Sequence, residues 1–262
     1  MKKILVVFIS ILILMPEVKS STTSASSYIL MDQNTGRVLL SKDKDSQRLI
    51  ASITKIMTCI LALESGKSED VVIVDDNATS AYGSGIYIEV GEEIKLKDLL
   101  YGLMLRSGND AASMIAAYVS GSIEEFVKLM NNKAKELGMK NTIFYTPSGL
   151  PTPHGNLSSV YDMAILTKYA MQNKEYREIV STKKYKTATN KKTYIWHNKN
   201  KLLKYDYITG GKTGYTEESG RTLVSTANID NMNLIVVTIR DSDDWNTHLE
   251  LYNYAKDNYI SY

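Results

Sequence analysis

A serine and a lysine stand three residues apart at the start of a predicted helix. Ser52-Ile53-Thr54-Lys55 opens an apolar stripe at helical spacing, which places Ser52 Oγ and the Lys55 amine one turn apart on one face. A helix N-terminus favours the negative charge that develops on an attacking serine, and burial lowers the pKa of a lysine enough for it to act as a base. The pair therefore predicts a serine nucleophile activated by Lys55; the alternative is that Ser52 only caps the helix.

The same S-x-x-K spacing occurs twice more, at Ser41/Lys44 and at Ser181/Lys184. The first copy lies at the end of a predicted strand, and the second lies in a lysine-rich polar stretch. Neither copy opens an apolar helix, so neither is a candidate for the nucleophile.

A second hydroxyl and a carboxamide follow in Ser107-Gly108-Asn109, between two predicted helices over 98–105 and 110–119. A serine at this junction can relay a proton between the base, the nucleophile and a leaving group. The Asn109 amide can hydrogen-bond a substrate amide. The S-x-N spacing is common by chance, so its meaning depends on the serine–lysine pair.

A charged residue lies among glycines in Lys212-Thr213-Gly214, inside a predicted strand over 207–215 and directly after Gly210-Gly211. Glycine in a strand lets another backbone approach closely. Lys212 and Thr213 would offer a cation and a hydroxyl to a substrate carboxylate. The alternative is an edge strand whose lysine only faces solvent.

The predicted elements that position these residues lie in three blocks along the chain. Strand patterns occur at both ends, and helical patterns fill the middle, as listed here: a hairpin over 28–32 and 37–41, helices from 52, over 98–105, 110–119, 122–137 and 159–171, a hairpin over 184–189 and 192–197, strands over 207–215, 222–228 and 234–240, and a helix over 245–259. The late strands are joined by turns too short for parallel crossovers. The sequence therefore predicts an α+β fold whose antiparallel sheet combines N- and C-terminal strands.

Composition excludes several classes of protein. The chain has 262 residues, 44% hydrophobic and 23% charged, which is typical of a globular protein. A net charge of +2 does not favour nucleic-acid binding. One cysteine, Cys59, permits no intramolecular disulfide and no cysteine-based zinc site, and the three histidines are far apart, so no metal site is predicted. Cys59 is either a second nucleophile or, as we favour, a small buried apolar residue.

The N-terminus has the order of a secretory signal peptide. Lys2 and Lys3 precede an apolar run over 4–15, and a small-residue tract over 20–27 follows. We predict a signal peptide over 1–26, cut after Ser20 or Ser26, with an uncleaved anchor as the alternative. The mature domain over 27–262 is then expected outside the cytoplasm, secreted or on the cell-wall side of the membrane.

The three motifs together, in the order S-x-x-K, S-x-N and K-T-G, are shared by penicillin-binding proteins and class A β-lactamases. The chain resembles the serine-type D-Ala-D-Ala carboxypeptidases, which are low-molecular-mass penicillin-binding proteins of the peptidase S11-like family. The resemblance covers nearly all of 28–260 and includes blocks outside the motifs: YILMD at 28–32, ASITKIMT at 51–58, LRSGNDAA at 105–112, LGM at 137–139, SGL at 148–150 and GKTGYT at 211–216.

The resemblance implies a β-lactamase/DD-peptidase-like fold and a role for each motif residue. It makes Ser52 the nucleophile that forms an acyl-enzyme, Lys55 its base, and Ser107 the group that passes a proton to the departing D-alanine. The binding residues it implies are Asn109 for the acyl part of the peptide, Lys212 and Thr213 for the terminal carboxylate, and Gly214 and Tyr215 along the same strand. The oxyanion hole would be the N–H groups of Ser52 and Tyr215. No cofactor is implied.

The implied activity is removal of the terminal D-alanine from peptidoglycan stem pentapeptides, with β-lactam antibiotics as acylating inhibitors. Family members often carry a further β-rich domain and a C-terminal amphipathic anchor; because this sequence stops at Tyr262, we expect neither. Arg240 follows the last predicted strand, where family members often have an arginine that binds the substrate carboxylate, but its register in the strand is not fixed by the sequence, so we assign it no role.

The stretch Lys183–Lys204 holds eight lysines and no acid, with Tyr185, Tyr194 and Trp196 between them. It is either a weak contact for anionic wall polymer or lipid head groups, or a solvated hairpin face.

Three other activities are compatible with the motifs. A class A β-lactamase needs a glutamate that primes water, and the loop over 145–162 contains none, which counts against rapid antibiotic hydrolysis. A transpeptidase would pass through the same acyl-enzyme. A non-catalytic wall-binding module would keep the fold without the reaction.

Overall fold

The computed structural model describes residues 23–79, 81–151 and 154–259, so most of the predicted signal peptide, with its earlier cleavage site, lies outside the described residues. The strands are β1 (Ser27–Asp32), β2 (Val38–Lys42), β3 (Arg48–Leu49), β4 (Val71–Ile73), β5 (Glu93–Lys95), β6 (Leu157–Ser158), β7 (Lys184–Ala188), β8 (Thr193–His197), β9 (Ile208–Thr216), β10 (Gly220–Ile229) and β11 (Met232–Ile239). The α-helices are α1 (Lys55–Glu64), α2 (Leu96–Tyr101), α3 (Asn109–Ser120), α4 (Ile123–Glu136), α5 (Val160–Ala170), α6 (Lys174–Ser181) and α7 (Asp244–Tyr259).

One five-stranded antiparallel sheet organises the fold, in the order β2-β1-β11-β10-β9. Strands β10 and β11 are joined by Asp230 and Asn231, both at positive φ (48° and 68°), a conformation that Asp and Asn tolerate and that suits a tight hairpin. The predicted α+β fold, with N- and C-terminal strands in one antiparallel sheet, is confirmed. Strand β9 lies at one edge of the sheet and carries the K-T-G sequence.

The sheet is covered on both faces, which explains why the interior strands β1 and β11 consist mostly of buried apolar residues. On β1, Ile29 and Met31 pack into the core shared with the helical region. Tyr28 and Leu30 point the other way, into a smaller core that also includes residues of α7. The period of two along a strand separates these two cores.

A 3₁₀ turn, which is wound more tightly than an α-helix, leads into α1. Residues Ala51–Thr54 form one 3₁₀ turn, and the α-helix begins only at Lys55. No side-chain cap is formed at the start of either segment, so Ser52 is not a capping residue. The first six residues of α1 are all buried, which places this helix inside the helical region.

Sequence reasoning missed the smaller elements. The pairs β3–β6 and β4–β5 contain strands of only two or three residues, too short for an alternating pattern to be visible. Helix α6 was detectable, because Asn173 accepts the Tyr176 N–H as an N-cap and Tyr176, Ile179 and Val180 form its buried stripe. The predicted helix over 98–105 is α2 followed by a π-helical turn over Gly102–Arg106.

The hairpin β7–β8 lies within the lysine-rich stretch Lys183–Lys204, and it differs in one respect from the contact surface predicted there. Its aromatic side chains face inward: Tyr194 and Trp196 are buried, and the Tyr185 ring stacks on Tyr101 with centroids 3.6 Å apart. The aromatic residues are therefore core residues of this hairpin, and only its lysines remain for a surface contact.

Residues just after the earlier predicted cleavage site belong to the folded domain. Ala25 is buried, Ser24 donates a hydrogen bond to Asp241, and the Ser26 N–H faces the carbonyls of Ile239 and Arg240. Within the described residues, no helix combines the length and the apolar composition that a membrane span requires.

Candidate active site

The centre of the site is the amine of Lys55, which is fully buried at the start of α1. Its Nζ lies 3.0 Å from Ser52 Oγ, 2.7 Å from Asn109 Oδ1 and 2.6 Å from the carbonyl oxygen of Ser148. The i, i+3 spacing read from the sequence thus does bring the serine and the lysine together. The two other contacts come from α3 and from the loop that follows α4.

The surroundings of Lys55 favour its neutral form. Burial lowers the pKa of this amine well below its usual range, the positive charges of Lys212 and Lys199 lower it further, and Asp110 opposes them. A neutral amine has two N–H bonds and one lone pair. The Asn109 and Ser148 oxygens can only accept hydrogen bonds, so they take both N–H bonds. The lone pair is left for the hydroxyl of Ser52, which is the arrangement that a general base requires.

A second serine–lysine pair lies beside the first. Lys212 Nζ donates to Ser107 Oγ at 3.0 Å and to the Thr213 carbonyl at 2.7 Å. Burial, with a smaller contribution from Lys199, lowers the pKa of Lys212 to about 7. Ser107 has a positive φ of 64° directly after the π-helical turn, and this backbone conformation turns the chain between α2 and α3. The pair can therefore hold and release a proton near neutral pH.

The edge strand β9 lies against the turn that carries the nucleophile. A Cβ atom on Gly214 would be 2.9 Å from the Ser52 nitrogen and 3.1 Å from the Ile53 nitrogen. On the neighbouring strand, Thr222 Oγ1 donates to the Ile50 carbonyl at 3.1 Å. Only glycine permits this approach, and it brings the backbone after Thr213 to the N–H groups at the start of the turn.

The loop after α4 supplies the Ser148 carbonyl, and Asn156 fixes its shape. Asn156 is buried; its Nδ2 donates to Thr54 Oγ1 at 3.0 Å and to the Thr146 carbonyl at 2.8 Å, and its Oδ1 accepts two backbone N–H groups of the same loop. Gly149, at φ 81°, approaches the Ala51 carbonyl so closely that a Cβ would be 2.0 Å from that oxygen. Sequence reasoning treated this segment as a loop that contains one block of the resemblance, SGL at 148–150, and gave no role to Gly149 or Asn156.

The segment over 82–87 forms another wall. The Asn109 N–H donates to the Ser84 carbonyl at 2.8 Å, and Asn109 Nδ2 donates to the Tyr82 carbonyl at 2.6 Å. The Asn109 side chain is therefore bonded to Lys55 on one side and to this segment on the other. Its contact with a substrate amide stays a prediction.

A cavity of about 400 Å³ opens above these groups. It is lined by Ser52, Ser84, Ser107, Lys199, Lys201, Thr213, Gly214, Tyr215, Arg221, Asp244 and Trp245. Lys199 donates to Ser84 Oγ at 3.1 Å, while Arg221 pairs with Asp244 at 2.7 Å and lies over the Trp245 ring. Cations outnumber acids in this lining, so the cavity favours an anionic ligand. Sequence reasoning had singled out neither Lys199 nor Arg221, and Arg240 is not part of the lining.

The structure separates the candidate motifs from their chance copies. Two groups are joined by hydrogen bonds: Ser52, Lys55 and Asn109 form one, and Ser107 and Lys212 form the other. Both serines line the cavity together with Thr213, Gly214 and Tyr215. In the copies, Lys44 pairs with Asp45 at the surface, and the Ser181 hydroxyl donates to backbone carbonyls of its own helix. Cys59 is fully buried, and burial raises its pKa, so it is no nucleophile in the folded state.

These features define a class of site: in an α+β fold, a serine hydroxyl bonded to a buried lysine amine lies in a cleft that is bordered by a K-T-G edge strand. The family model described as D-alanyl-D-alanine carboxypeptidase matches residues 15–243, and the chain belongs to this family.

Curated relatives support the family assignment. D-alanyl-D-alanine carboxypeptidase DacF of Bacillus subtilis is 43% identical over 220 residues, which cover 81% of this chain and 56% of that protein. D-alanyl-D-alanine carboxypeptidase DacA of Haemophilus influenzae is 34% identical over 229 residues, which cover 82% of this chain and 57% of that protein. The chain thus spans a little over half the length of these relatives.

Solved structures share the fold. A D-alanyl-D-alanine carboxypeptidase of Mycobacterium tuberculosis superposes with a TM-score of 0.86 at 27% identity, covering 90% of this chain and 92% of that one. The DD-transpeptidase of Streptomyces K15 also gives a TM-score of 0.86, at 28% identity, covering 92% of this chain and all of that one.

Proposed function

We propose that this protein is a serine-type D-Ala-D-Ala carboxypeptidase that removes the terminal D-alanine from peptidoglycan stem pentapeptides. The observation that carries the proposal is the hydrogen bonding of Lys55, in which two acceptor-only oxygens take the N–H bonds and leave the lone pair for Ser52. Family membership and the relatives named as carboxypeptidases support the substrate class.

In the proposed reaction, Ser52 Oγ attacks the carbonyl carbon between the two D-alanines, and its proton passes to Lys55. The N–H groups of Ser52 and Tyr215 stabilise the oxyanion, and such donors are typically worth about 3 kcal/mol of barrier each. Lys55 then passes this proton through the Ser107 hydroxyl to the departing amine, so the peptide C–N bond breaks, D-alanine leaves and Lys55 is neutral again. Water attacks the ester carbon and gives a proton to Lys55. When the tetrahedral intermediate collapses, the C–Oγ bond breaks, Lys55 returns that proton to Ser52 Oγ, and the shortened peptide is released.

The charge of the cavity fits this substrate. Lys212 and Thr213 are proposed to bind the terminal carboxylate, and Lys199 adds a further positive charge to the same cavity. A β-lactam carries a carboxylate next to a reactive amide, so the same residues would bind it and Ser52 would form a stable acyl-enzyme.

Slow deacylation of the antibiotic is expected. The loop over 145–162 carries no glutamate, and the group it presents to Lys55 is the Ser148 carbonyl, which cannot act as a base toward water. Transfer to an amine instead of water is the second candidate, because a structural neighbour is named a DD-transpeptidase.

We also propose that the protein acts outside the cytoplasm, where peptidoglycan lies, after removal of a signal peptide near Ser20. The packing of Ala25 and the Ser24–Asp241 bond support the earlier cut, since a cut after Ser26 would remove both from the domain. Mass spectrometry of the exported protein would give the new N-terminus, and a start at Ser27 would contradict this cut.

The exposed lysines of β7 are the part of the predicted wall contact that we retain. Lys184 and Lys186 are exposed, and we propose that they bind anionic wall polymer weakly. Co-sedimentation with purified walls should decrease with salt and with Lys184→Gln/Lys186→Gln; unchanged binding would leave a solvated face.

D-alanine release from a stem peptide ending in D-Ala-D-Ala tests the main proposal. The wild type should release D-alanine and be labelled by a fluorescent penicillin, whereas Ser52→Ala should do neither. Ser181→Ala, in a chance copy of the motif, is the matched control and should behave as the wild type. Incorporation of an added amine instead of D-alanine release would favour the transpeptidase, and neither signal in folded wild type would favour the wall-binding module.

A further inference from the structure

The orientation of the Asn109 amide is fixed from outside the catalytic groups. The Tyr82 carbonyl can only accept, so Asn109 Nδ2 must face it, and Oδ1 must then face Lys55. If the amide rotated by half a turn, its N–H₂ group would meet the lysine, and the lysine would lose one of the two acceptors that aim its lone pair at Ser52. The position of the Tyr82 backbone carbonyl therefore determines whether Lys55 keeps its Asn109 acceptor and hence where its lone pair points.

A buried carboxylate holds the segment that carries this carbonyl. Asp110, in the first turn of α3, accepts the Ile86 N–H at 3.0 Å, the Tyr87 N–H at 2.7 Å and the Ala111 N–H at 2.9 Å. The side chain is 6% exposed, which makes these charge-assisted bonds strong. Asp110 thereby ties the segment to the same helical turn that carries Asn109.

The glycines of the segment show how closely it is packed. Gly83 has φ +82°, and a Cβ there would lie 3.3 Å from Asn109 Nδ2. A Cβ on Gly85 would lie 3.3 Å from Asp110 Oδ2. Each of the two side chains thus has a glycine against it, and a larger residue at either position would push on the amide or on the carboxylate.

We infer that Asp110 is a positioning residue for the general base: by tying residues 82–87 to α3, it fixes the Asn109 amide and directs the Lys55 lone pair at Ser52. The inference rests on the proposed acyl-enzyme and adds a residue that no motif role covers. Asp110 does not line the cavity, and its hydrogen bonds go to Ile86, Tyr87 and Ala111 and not to Ser52, so it acts through Asn109.

The charges around Lys55 give the inference a signature in the pH profile. Lys212 on β9 and Lys199 lower the pKa of Lys55, and Asp110 raises it. The charge of Asp110 also acts on Tyr194 of β8, together with the charges of Glu92 and Glu89. Loss of the carboxylate removes a stabilising charge, and loss of the Asn109 acceptor removes a hydrogen bond to the ammonium form. Both changes lower the pKa of Lys55 and make it a weaker base. They therefore move the acid limb, the rising part of the pH–rate profile for acylation, to lower pH.

The test measures the acylation rate at saturating benzylpenicillin, and the initial binding constant, from pH 5 to 10. Asp110→Asn keeps the shape but places an N–H₂ group against backbone donors. Gly83→Ala leaves the Asp110 charge in place and disturbs the contact with Asn109. The matched control is Asp98→Asn, since Asp98 is a similarly buried carboxylate that accepts from Tyr185 and Thr187 in another part of the molecule.

We expect Asp110→Asn to acylate about 10- to 100-fold more slowly, with binding changed less than about threefold and the acid limb moved to lower pH. Gly83→Ala should also be slower, with a smaller pH shift, and Asp110→Glu should recover part of the rate. Asp98→Asn should lower the melting temperature without changing acylation.

Two results would overturn the inference. One is a folded Asp110→Asn variant that acylates at the wild-type rate and whose acid limb in the pH–rate profile has not moved. The other is a slow Asp110→Asn with an unmoved limb together with a normal Gly83→Ala, which would mean a general structural defect. A wild type that is not acylated at all would instead refute the proposed function, so the two failures are distinguishable.

Discussion

Gly214 lies so close to Ser52 that a single added Cβ would be 2.9 Å from the Ser52 nitrogen. This contact joins the edge of the sheet to the turn that carries the nucleophile, although the two residues are 162 positions apart in the sequence. The cleft is therefore formed where two parts of the fold meet, and its width is set by the absence of a side chain on β9.

Replacing Gly214 by alanine should separate β9 from the Ser52 turn. We expect acylation by penicillin to fall by about 100-fold, because displacement of the catalytic groups by about 1 Å is costly. Stopped-flow acylation measures the effect. Gly66→Ala is the control: Gly66 has φ +72° with nothing within 4 Å of its Cβ position, so this variant should lose about 1 kcal/mol of stability and keep its rate. An unchanged rate in Gly214→Ala would contradict the contact.

The lowered pKa of Lys55 predicts the pH dependence of acylation. The rate should rise with pH as the amine loses its proton, and the midpoint should lie well below the usual 10.5. Lys55→Arg, which stays charged, should be inactive.

Because the charge of Lys212 lowers the pKa of Lys55, Lys212→Met should move that midpoint to higher pH. The rate at saturating penicillin separates this effect from weaker binding. A midpoint that stays in place or falls would show that the charge of Lys212 does not lower the pKa of the titrating base.

Asn156 should be needed for both stability and rate. Asn156→Ala removes four hydrogen bonds from the loop that holds the Ser148 carbonyl, at a cost of about 3 kcal/mol in the free energy of unfolding. Acylation should slow as well, because Lys55 loses a fixed acceptor. Asn131→Ala removes comparable bonds to Phe144 further from the site, so urea unfolding should show a loss of stability while the rate stays near wild type.

Cys59 should be unreactive until the protein unfolds. It is fully buried and its pKa is raised, so a thiol reagent should label it only in denaturant. Cys59→Ala should cost about 1 kcal/mol and leave acylation within twofold of the wild type. Rapid labelling of the native protein, or a strong loss of rate in the variant, would revive the second-nucleophile alternative.

His248 should make the fold sensitive to acid. It is buried between Ser225 and Thr238, and burial lowers its pKa to about 3. Between this value and the usual 6.5 the unfolded chain binds more protons than the folded one, so stability falls as pH decreases, by up to about 1.4 kcal/mol per pH unit. Unfolding of wild type and His248→Asn from pH 4 to 7 should differ in slope, and equal slopes would count against a neutral buried His248.

Local patterns carried much of the prediction. The pairing of Ser52 with Lys55 follows from a spacing of three residues, and the strands of the sheet were recognised by their short apolar runs between turns. The start of α4 is marked by a cap in which Ser122 Oγ accepts the Glu125 N–H. Such features depend on neighbours in sequence, so the α+β fold and the three motifs followed from residue types and spacing. Short strands such as β4 left no periodic signal, and Lys199 looked like one of many lysines.

The sequence by itself determined which residues can react: a serine, two lysines, a second serine and an asparagine on suitable elements. The tertiary structure decided what state they are in. The Ser148 carbonyl and the Tyr82 carbonyl reach Lys55 and Asn109 from distant segments, and burial of Lys55 makes its neutral form favourable. A pKa and the direction of a lone pair depend on desolvation and on partners far away in the chain, and no local spacing encodes them.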